Sequence, residues 1–241
     1  MPKNELISVD EAIRKIVKQF NKLTDEDIEL TKSLGRISAE PIYAQTFNPS
    51  SNVSSMDGYA INSKNRYNTF KVIGESAAGK PFKGKVQSQQ TVAIYTGAKL
   101  PIGTDTIIIQ ENIKKLKDKN IQLIENKYKK YQFVRKKGLD FSKGDIILNK
   151  NQLINSRNIG SIAMSGNFWL NVVRKPIIGI ISTGNEILKV GNLSQKDKIP
   201  SGNLVMLSSI VKTLGGIARI LPIAKDNKIS LKGIIEKNLD C

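Results

Sequence analysis

The residue pattern changes at about residue 44 and again at about residue 137, and this double change constrains the fold more than any other feature. Between the two points lie short runs rich in β-branched and aromatic residues: Phe70 to Ile73, Thr91 to Tyr95, Thr106 to Gln110 and Gln122 to Ile124. Runs of this length and composition suit strands. Turn-forming clusters separate them, such as Gly79-Lys80-Pro81 and Leu100-Pro101-Ile102-Gly103. The basic, polar run Lys114 to Lys130 reads as an exposed hairpin. Outside this region the periodicity is helical. Val9, Ile13, Ile16, Val17 and Phe20 recur at helical spacing and make one apolar stripe. Ser8 and Glu11 have the spacing of a capping box. A second short helix is expected over Thr31 to Glu40, where Pro41 favours an extended exit. Helical periodicity returns from Leu153 to Met164.

The expected organisation is therefore multi-domain, of α/β and β class. A helical and extended linking domain (1–43 and 138–174) carries a small inserted β-domain (44–137). Residues 175–241 form a third region. There Pro176 to Ile181 is a continuous apolar run, as expected of a parallel strand buried on both faces. A helix over Leu204 to Leu214, a strand over Ala218 to Ile223 and a helix from about Ser230 follow. That order is the start of a doubly wound parallel sheet. With two strands only, this α/β domain is expected to be incomplete, with loose order at its end.

Composition narrows the chemistry. The chain has no histidine, which removes the commonest general base and transition-metal ligand. A Ser-His-Asp triad and a zinc site are excluded, leaving carboxylates, hydroxyls, lysines, backbone amides and hard cations. The net charge of +17 suits an anionic partner. Richness in Lys, Ile and Asn spread along the chain explains the same charge without one. Nucleic acid is not the expected partner, because aromatic interleaving and a recognisable binding motif are both lacking. No stretch approaches the roughly 18 to 20 apolar residues that span a bilayer, and the first residues lack a secretory signal. Cys241 is the single cysteine. A cytoplasmic setting is expected.

Several short segments can carry chemistry. Asp57-Gly58, after small polar residues, reads either as a plain turn or as a turn displaying a carboxylate. Thr96-Gly97 at a strand end reads either as a turn or as a strand tip exposing a hydroxyl and amides. Ser182-Thr183-Gly184-Asn185-Glu186 directly follows the apolar strand, and loops at the carboxyl ends of parallel strands form ligand crevices. Its hydroxyls, glycine and Glu186 suit phosphate contact and a metal ion. A simple strand-to-helix turn is the alternative. Asp226 falls at an equivalent tip, so Glu186 and Asp226 could share a magnesium ion.

Together these segments resemble a family. Ser54 to Ala60 (SSMDGYA), Gly74 to Gly84 (GESAAGKPFKG), Thr96 to Asp105 (TGAKLPIGTD) with Gln110-Glu111, Arg135 to Gly144 (RKKGLDFSKG) and Ile181 to Leu188 (ISTGNEIL) are similar, in order, to molybdopterin molybdenumtransferases of the MoeA and gephyrin E-domain type. The resemblance implies insertion of molybdate into adenylylated molybdopterin, with AMP released and magnesium as the ion. It implies a homodimer whose sites form across two subunits. Carried over by motif, the catalytic positions are Asp57, Thr96, Asp140, Glu186 and Asp226. Substrate contacts fall on Ser182, Thr183, Gly184 and Asn203, and the metal ligands are Glu186 and Asp226.

The chain departs from the family pattern at Asn185, at Asn227 and at Ser201-Gly202-Asn203, where acids or an acid-hydroxyl pair are expected. The family's glycine-serine loop and C-terminal β-domain are expected beyond the last residue here. The resemblance thus points to a fragment, a split-gene product or a degraded paralogue. A separate polypeptide could carry the rest, and a non-catalytic dimerisation or scaffold module is the alternative function.

Overall fold

The computed structural model describes residues 7–188, 191 and 197–241, so residues 1–6 of the linking segment lie outside the described residues. The chain divides into two compact units. One comprises residues 41–149 and 157–168, the other residues 1–40, 150–156 and 169–241. The described helices are α1 (Val9–Lys18), α2 (Ser156–Met164), α3 (Gly202–Thr213) and α4 (Lys228–Glu236).

The first unit is built on a six-stranded sheet. Its spatial order is Thr106–Ile109, Gly58–Ile61, Gln90–Ile94, Thr69–Ser76, Asn120–Leu123, Ile113–Lys115. Neighbours are antiparallel except Thr69–Ser76 and Gln90–Ile94, which run parallel. Every β-rich run read from the sequence lies in this sheet. A hairpin forms between Ile113–Lys115 and Asn120–Leu123, over only the first part of the basic segment Lys114 to Lys130, and Ile121 and Leu123 are buried where an exposed hairpin is expected.

Successive side chains on a strand point to opposite faces, and here both faces are covered. Ala60, Ile94, Ala98, Leu100 and Ile107 form a buried cluster on one face, completed by Phe133 and Val134. Ile61, Phe70, Ile108, Ile121 and Leu123 form the other, with Tyr59, Val72, Ile113 and Tyr128 against it. The outer strand Thr106–Ile109 is covered along its edge, because Ile107 N–H donates to Gln132 O and Tyr131 N–H to Asp105 O. An apolar strand can stand at an edge when such a segment takes up its backbone groups.

In the second unit, Asp25–Glu29 pairs antiparallel with Trp169–Val173. Four of the five residues of the first strand are acidic, so it shows no apolar alternation. Ser8 caps α1 as its spacing predicts, its hydroxyl accepting from Glu11 N–H, and Glu11 pairs with Lys15 at 2.9 Å. No residue of α1 is buried.

Ile177–Ile180 and Ile217–Ile220 pair in parallel, with α3 lying between them in sequence, and α4 follows. The pairing runs on into the loops: Thr183 bridges Ala224, Ala224 N–H donates to Ser182 O at 2.9 Å and Gly184 N–H donates to Ala224 O at 3.2 Å. Asn227 caps α4, its side chain accepting from Ser230 N–H at 2.8 Å.

Three expectations need correction. The helix over Thr31 to Glu40 is absent; a 3₁₀ turn, Leu30–Lys32, is followed by Gly35 at φ +75° and then by extended backbone. Ile37 bridges Leu153 and Ser38 bridges Val172, and the nearly buried Arg36 side chain pairs with Glu26 and donates to Val173 O. These tertiary bonds outweigh a helical propensity that is worth only tenths of a kcal/mol per residue. The apolar run at Ile177–Ile180 is not buried on both faces: only Ile180 is buried, Ile177 is half-buried, and Ile178 and Gly179 are exposed. A cleft of about 890 Å³, bordered by Phe20, Leu23, Pro176, Ile178 and Leu221, opens beside this strand. The expected stripe of α3 is only partly used: Leu204 is buried, whereas Leu207 and Leu214 are exposed. None of the described helices is long and apolar enough to cross a membrane.

Candidate functional site

Two of the expected residues meet. Asp57 follows the strand residues Val53–Ser54 and directly precedes Gly58, the first residue of a sheet strand. Thr96 lies two residues past the neighbouring strand Gln90–Ile94. Gly58 pairs with Ile94, which brings the two ends together. Thr96 N–H donates to Asp57 Oδ1 at 2.7 Å, and Thr96 Oγ1–H donates to the same oxygen at 2.9 Å. Both side chains are exposed. Nearby bonds set the geometry: Gly97 N–H donates to Ser54 O, Ala98 N–H to Tyr95 O, and the Ser54 hydroxyl to Met56 O.

Hydrogen bonds to the charged form favour it, and the Thr96 amide, then its hydroxyl, hold the Asp57 carboxyl below its ordinary value. The consequence for stability has a definite sign. The contribution of this pair is fully present above the ordinary carboxyl pKa of 3.8 and is lost as the pH falls through the lower folded value. Thr96→Val removes the lesser of the two donors. Carbon-detected titration of the Asp57 carboxylate should show its pKa rising part of the way back, with the amide still acting. An unchanged titration would mean that the hydroxyl contributes nothing.

Asp140 forms a separate cluster in the same unit. Its Oδ2 accepts from Arg135 Nη2 at 2.6 Å and from Asn48 Nδ2 at 3.1 Å. Arg135 belongs to the same sequence segment and could have been paired with Asp140 from its spacing. Asn48 is 92 residues away, and nothing local signals it. Asp105, the acid that ends the TGAKLPIGTD segment, is occupied structurally: its carboxylate accepts from the Ser63 amide at 2.7 Å and the Ser63 hydroxyl at 2.8 Å.

The remaining residues lie in the other unit. Ser182, Thr183 and Gly184 form the loop after Ile177–Ile180 and stand beside Ala224 of the companion loop. Glu186 and Asp226 are exposed just beyond the bridged positions. The Glu186 carboxylate folds over Gly184, where a Cβ would lie 2.6 Å from Oε1; Gly184 itself sits at φ +137°. Asp226 N–H donates to Asn185 Oδ1 at 3.4 Å. Asn185 thus joins the two loops, a role its carboxamide oxygen shares with the acid expected there. The Ser182 and Ser201 hydroxyls bond each other at 2.7 Å. Ser201, read from sequence only as a departure, is buried next to the loop, and Asn203 is exposed in the first turn of α3. Among the described residues, no three Asp, Glu, His or Cys side chains gather as a metal cluster.

Comparison with known proteins accounts for the co-occurrence of these segments. Residues 7–166 match the family model described as the MoeA N-terminal region (domain I and II). The molybdopterin molybdenumtransferase of Staphylococcus epidermidis is 31% identical over 240 residues, covering 97% of this chain and 57% of that protein. The gephyrin of Dictyostelium discoideum is 34% identical over 255 residues, covering 96% of this chain and 35% of that protein. A crystal structure of the molybdopterin biosynthesis MoeA protein from Pyrococcus horikoshii superposes with a TM-score of 0.85 at 31% identity, over 98% of this chain and 62% of that one. The chain therefore spans little more than half the length of the bacterial relative. It belongs to the MoeA and gephyrin family of molybdopterin molybdenumtransferases.

Proposed function

We propose that this chain acts in molybdenum cofactor biosynthesis in the cytoplasm, in the insertion of molybdate into adenylylated molybdopterin with release of AMP. The observation that carries the reading is the Asp57–Thr96 pair, in which two of the family's segments meet at one carboxylate. In outline, water attacks the adenylyl phosphorus, the bond to the molybdopterin phosphate breaks and AMP leaves; the two dithiolene sulfurs then bind the molybdenum of molybdate as one oxo group leaves with the two thiol protons as water.

The division of labour follows from charge. An ionised Asp57 repels molybdate, and the Thr96 proton is already committed to it. The pair therefore positions a donor, either a basic or amide group of a second subunit or a hydroxyl of the pterin, through the remaining Asp57 oxygen. Glu186 and Asp226 are the carboxylates available to a cation. Their oxygen donors fit magnesium, which takes one or two carboxylates and completes its shell with water and substrate phosphate. Bound there, the ion would neutralise charge on the pyrophosphate oxygens. Glu186 would also orient the attacking water, while Ser182, Thr183, Gly184 and Asn203 would line the path of the substrate.

The multi-domain arrangement proposed for this role is a linking domain (1–43 and 138–174), a β-insert (44–137) and an α/β region (175–241). A homodimer is part of the same proposal. The apolar face of α1 supports it: Val9, Ile13, Ile16, Val17 and Phe20 are each more than half exposed. Sedimentation of the 241-residue chain should show a dimer, and Ile13→Lys with Val17→Lys should convert it to a monomer. A strict monomer of the unaltered chain at high micromolar concentration would count against this interface.

The test of the reaction measures AMP from adenylylated molybdopterin with molybdate and magnesium. The chain is assayed alone and together with a polypeptide covering the C-terminal part of a relative. AMP released only by the mixture is the expected result. A second reading, a non-catalytic dimerisation or scaffold module, draws support from Asn185, Asn227 and Ser201 at positions where the family pattern expects acids. Dimerisation without AMP release in either assay would favour it.

A further inference from the structure

A second polar site lies in the unit that holds Asp57, on the far part of the segment that begins with Thr96. A cavity of about 440 Å³ opens beside Lys99 and Lys137, within the ~300–1,000 Å³ range of small-ligand sites. Asn52 ties together the backbone of Lys137 and of Leu100, the residue after Lys99. Leu100 N–H donates to Asn52 O at 3.0 Å, and Lys137 N–H donates to Asn52 Oδ1 at 2.9 Å. Lys99 is held further by its bridge to Val53 and by its carbonyl, which accepts from Ser76 Oγ at 2.9 Å. The Lys137 ammonium lies 4.0 Å from the centre of the Phe47 ring, a cation–π contact that restrains its swing.

Among the described residues, neither ammonium has a carboxylate in salt-bridge range. Ser50 and Ser51 complete the polar wall, and Pro101 with Ile102 forms an apolar one. Lys99 and Lys137 both line this cavity; two cations lining one cavity without an acid repel each other, and an anion between them relieves that repulsion. Hydroxyls and ammonium groups are the donors that phosphate oxygens take.

We propose that this cavity binds a phosphate-class dianion, either the free ion or the phosphate of a monoester whose body rests on Pro101 and Ile102. The site is independent of the reaction proposed above, since it uses none of the residues assigned to it.

The test uses the whole 241-residue protein and amide chemical shifts at Asn52, Lys99, Gly103 and Lys137, titrated with inorganic phosphate and with phenyl phosphate. Saturable shifts confined to these residues are expected. Lys99→Gln and Lys137→Gln should each weaken binding about tenfold, since each removes one charge-assisted contact. Lys99→Arg should retain binding, and Asp57→Asn should leave it unchanged. Both glutamine variants lie on exposed side chains, and an undisturbed amide spectrum elsewhere reports an intact fold. Tighter binding of phenyl phosphate identifies a monoester as the occupant, and equal or weaker binding identifies the free ion. Shifts that do not saturate, or that survive in the double glutamine variant, would mean an adventitious ion only and would overturn the proposal.

Discussion

Gly58→Ala is expected to destabilise the six-stranded sheet by about 3 kcal/mol or more, beyond the usual range for an added methyl in a packed core. A Cβ at Gly58 would lie 2.1 Å from Ile108 O and 2.9 Å from both Ile108 C and Ile109 Cα. All three are backbone atoms of the partner strand, so no side-chain rotation relieves the contact. The strand Gly58–Ile61 would have to move away from Thr106–Ile109, opening the paired register Gly58↔Ile109 to Ile61↔Thr106 and with it both buried clusters. A fall in melting temperature of about 10 °C follows for a domain of this size. Because Asp57 adjoins Gly58, the Asp57 titration should also return toward that of an unfolded carboxyl. A melting temperature within two or three degrees of the unaltered protein, measured by calorimetry, would mean that the strands separate more easily than their packing implies. The glycine of the SSMDGYA segment is thus required by the close approach of a neighbouring strand.

Glu186→Gln should have the opposite profile, a large loss of function with little loss of stability. Changing a group that only supports a metal ligand costs about 10- to 100-fold, so under the proposed function removing the proposed magnesium ligand itself should cost about 100-fold or more in AMP release. The amide has the same shape as the carboxylate and can still fold over Gly184. Exposed substitutions of this kind usually change stability by no more than about 0.5 kcal/mol. The comparison belongs in whichever assembly releases AMP, with activity measured against magnesium concentration. An active variant with an unshifted magnesium dependence would remove Glu186 from the metal site.

Legibility from the sequence followed the range of the interactions involved. The cap at Ser8 and the runs around Phe70, Val92, Ile107 and Leu123 are local patterns of about three to five residues, and each lies where its pattern predicts, whereas the hairpin at Ile113–Lys115 with Asn120–Leu123 takes up only the first part of the basic run that suggested it. The helix expected over Thr31 to Glu40 failed because its competitors are distant. Leu153, Val172 and Val173 lie more than a hundred residues away and draw Arg36, Ile37 and Ser38 into extended structure. The acidic strand Asp25–Glu29 was illegible for the same reason, since the residues that select it are on Trp169–Val173.

For the candidate site, residue types marked Asp57, Thr96, Glu186 and Asp226 as candidates beside the alternative of plain turns, and the family resemblance added Asp140 and favoured the functional reading, because short motifs of acids, hydroxyls and glycines are written in consecutive residues. What each side chain touches was decided by tertiary structure. The strand pairing that sets Gly58 opposite Ile94 makes Thr96 the partner of Asp57, 39 residues away. Asn48 reaches Asp140, Asn185 reaches Asp226 and Ser201 reaches Ser182 only after folding. Burial was decided in the same way. A continuous apolar run is buried on both faces at Thr106–Ile109, where a neighbouring segment covers the strand edge, whereas at Ile177–Ile180 only Ile180 is buried. Periodicity records which residues can share a face, but whether that face is covered depends on segments that the run itself does not encode.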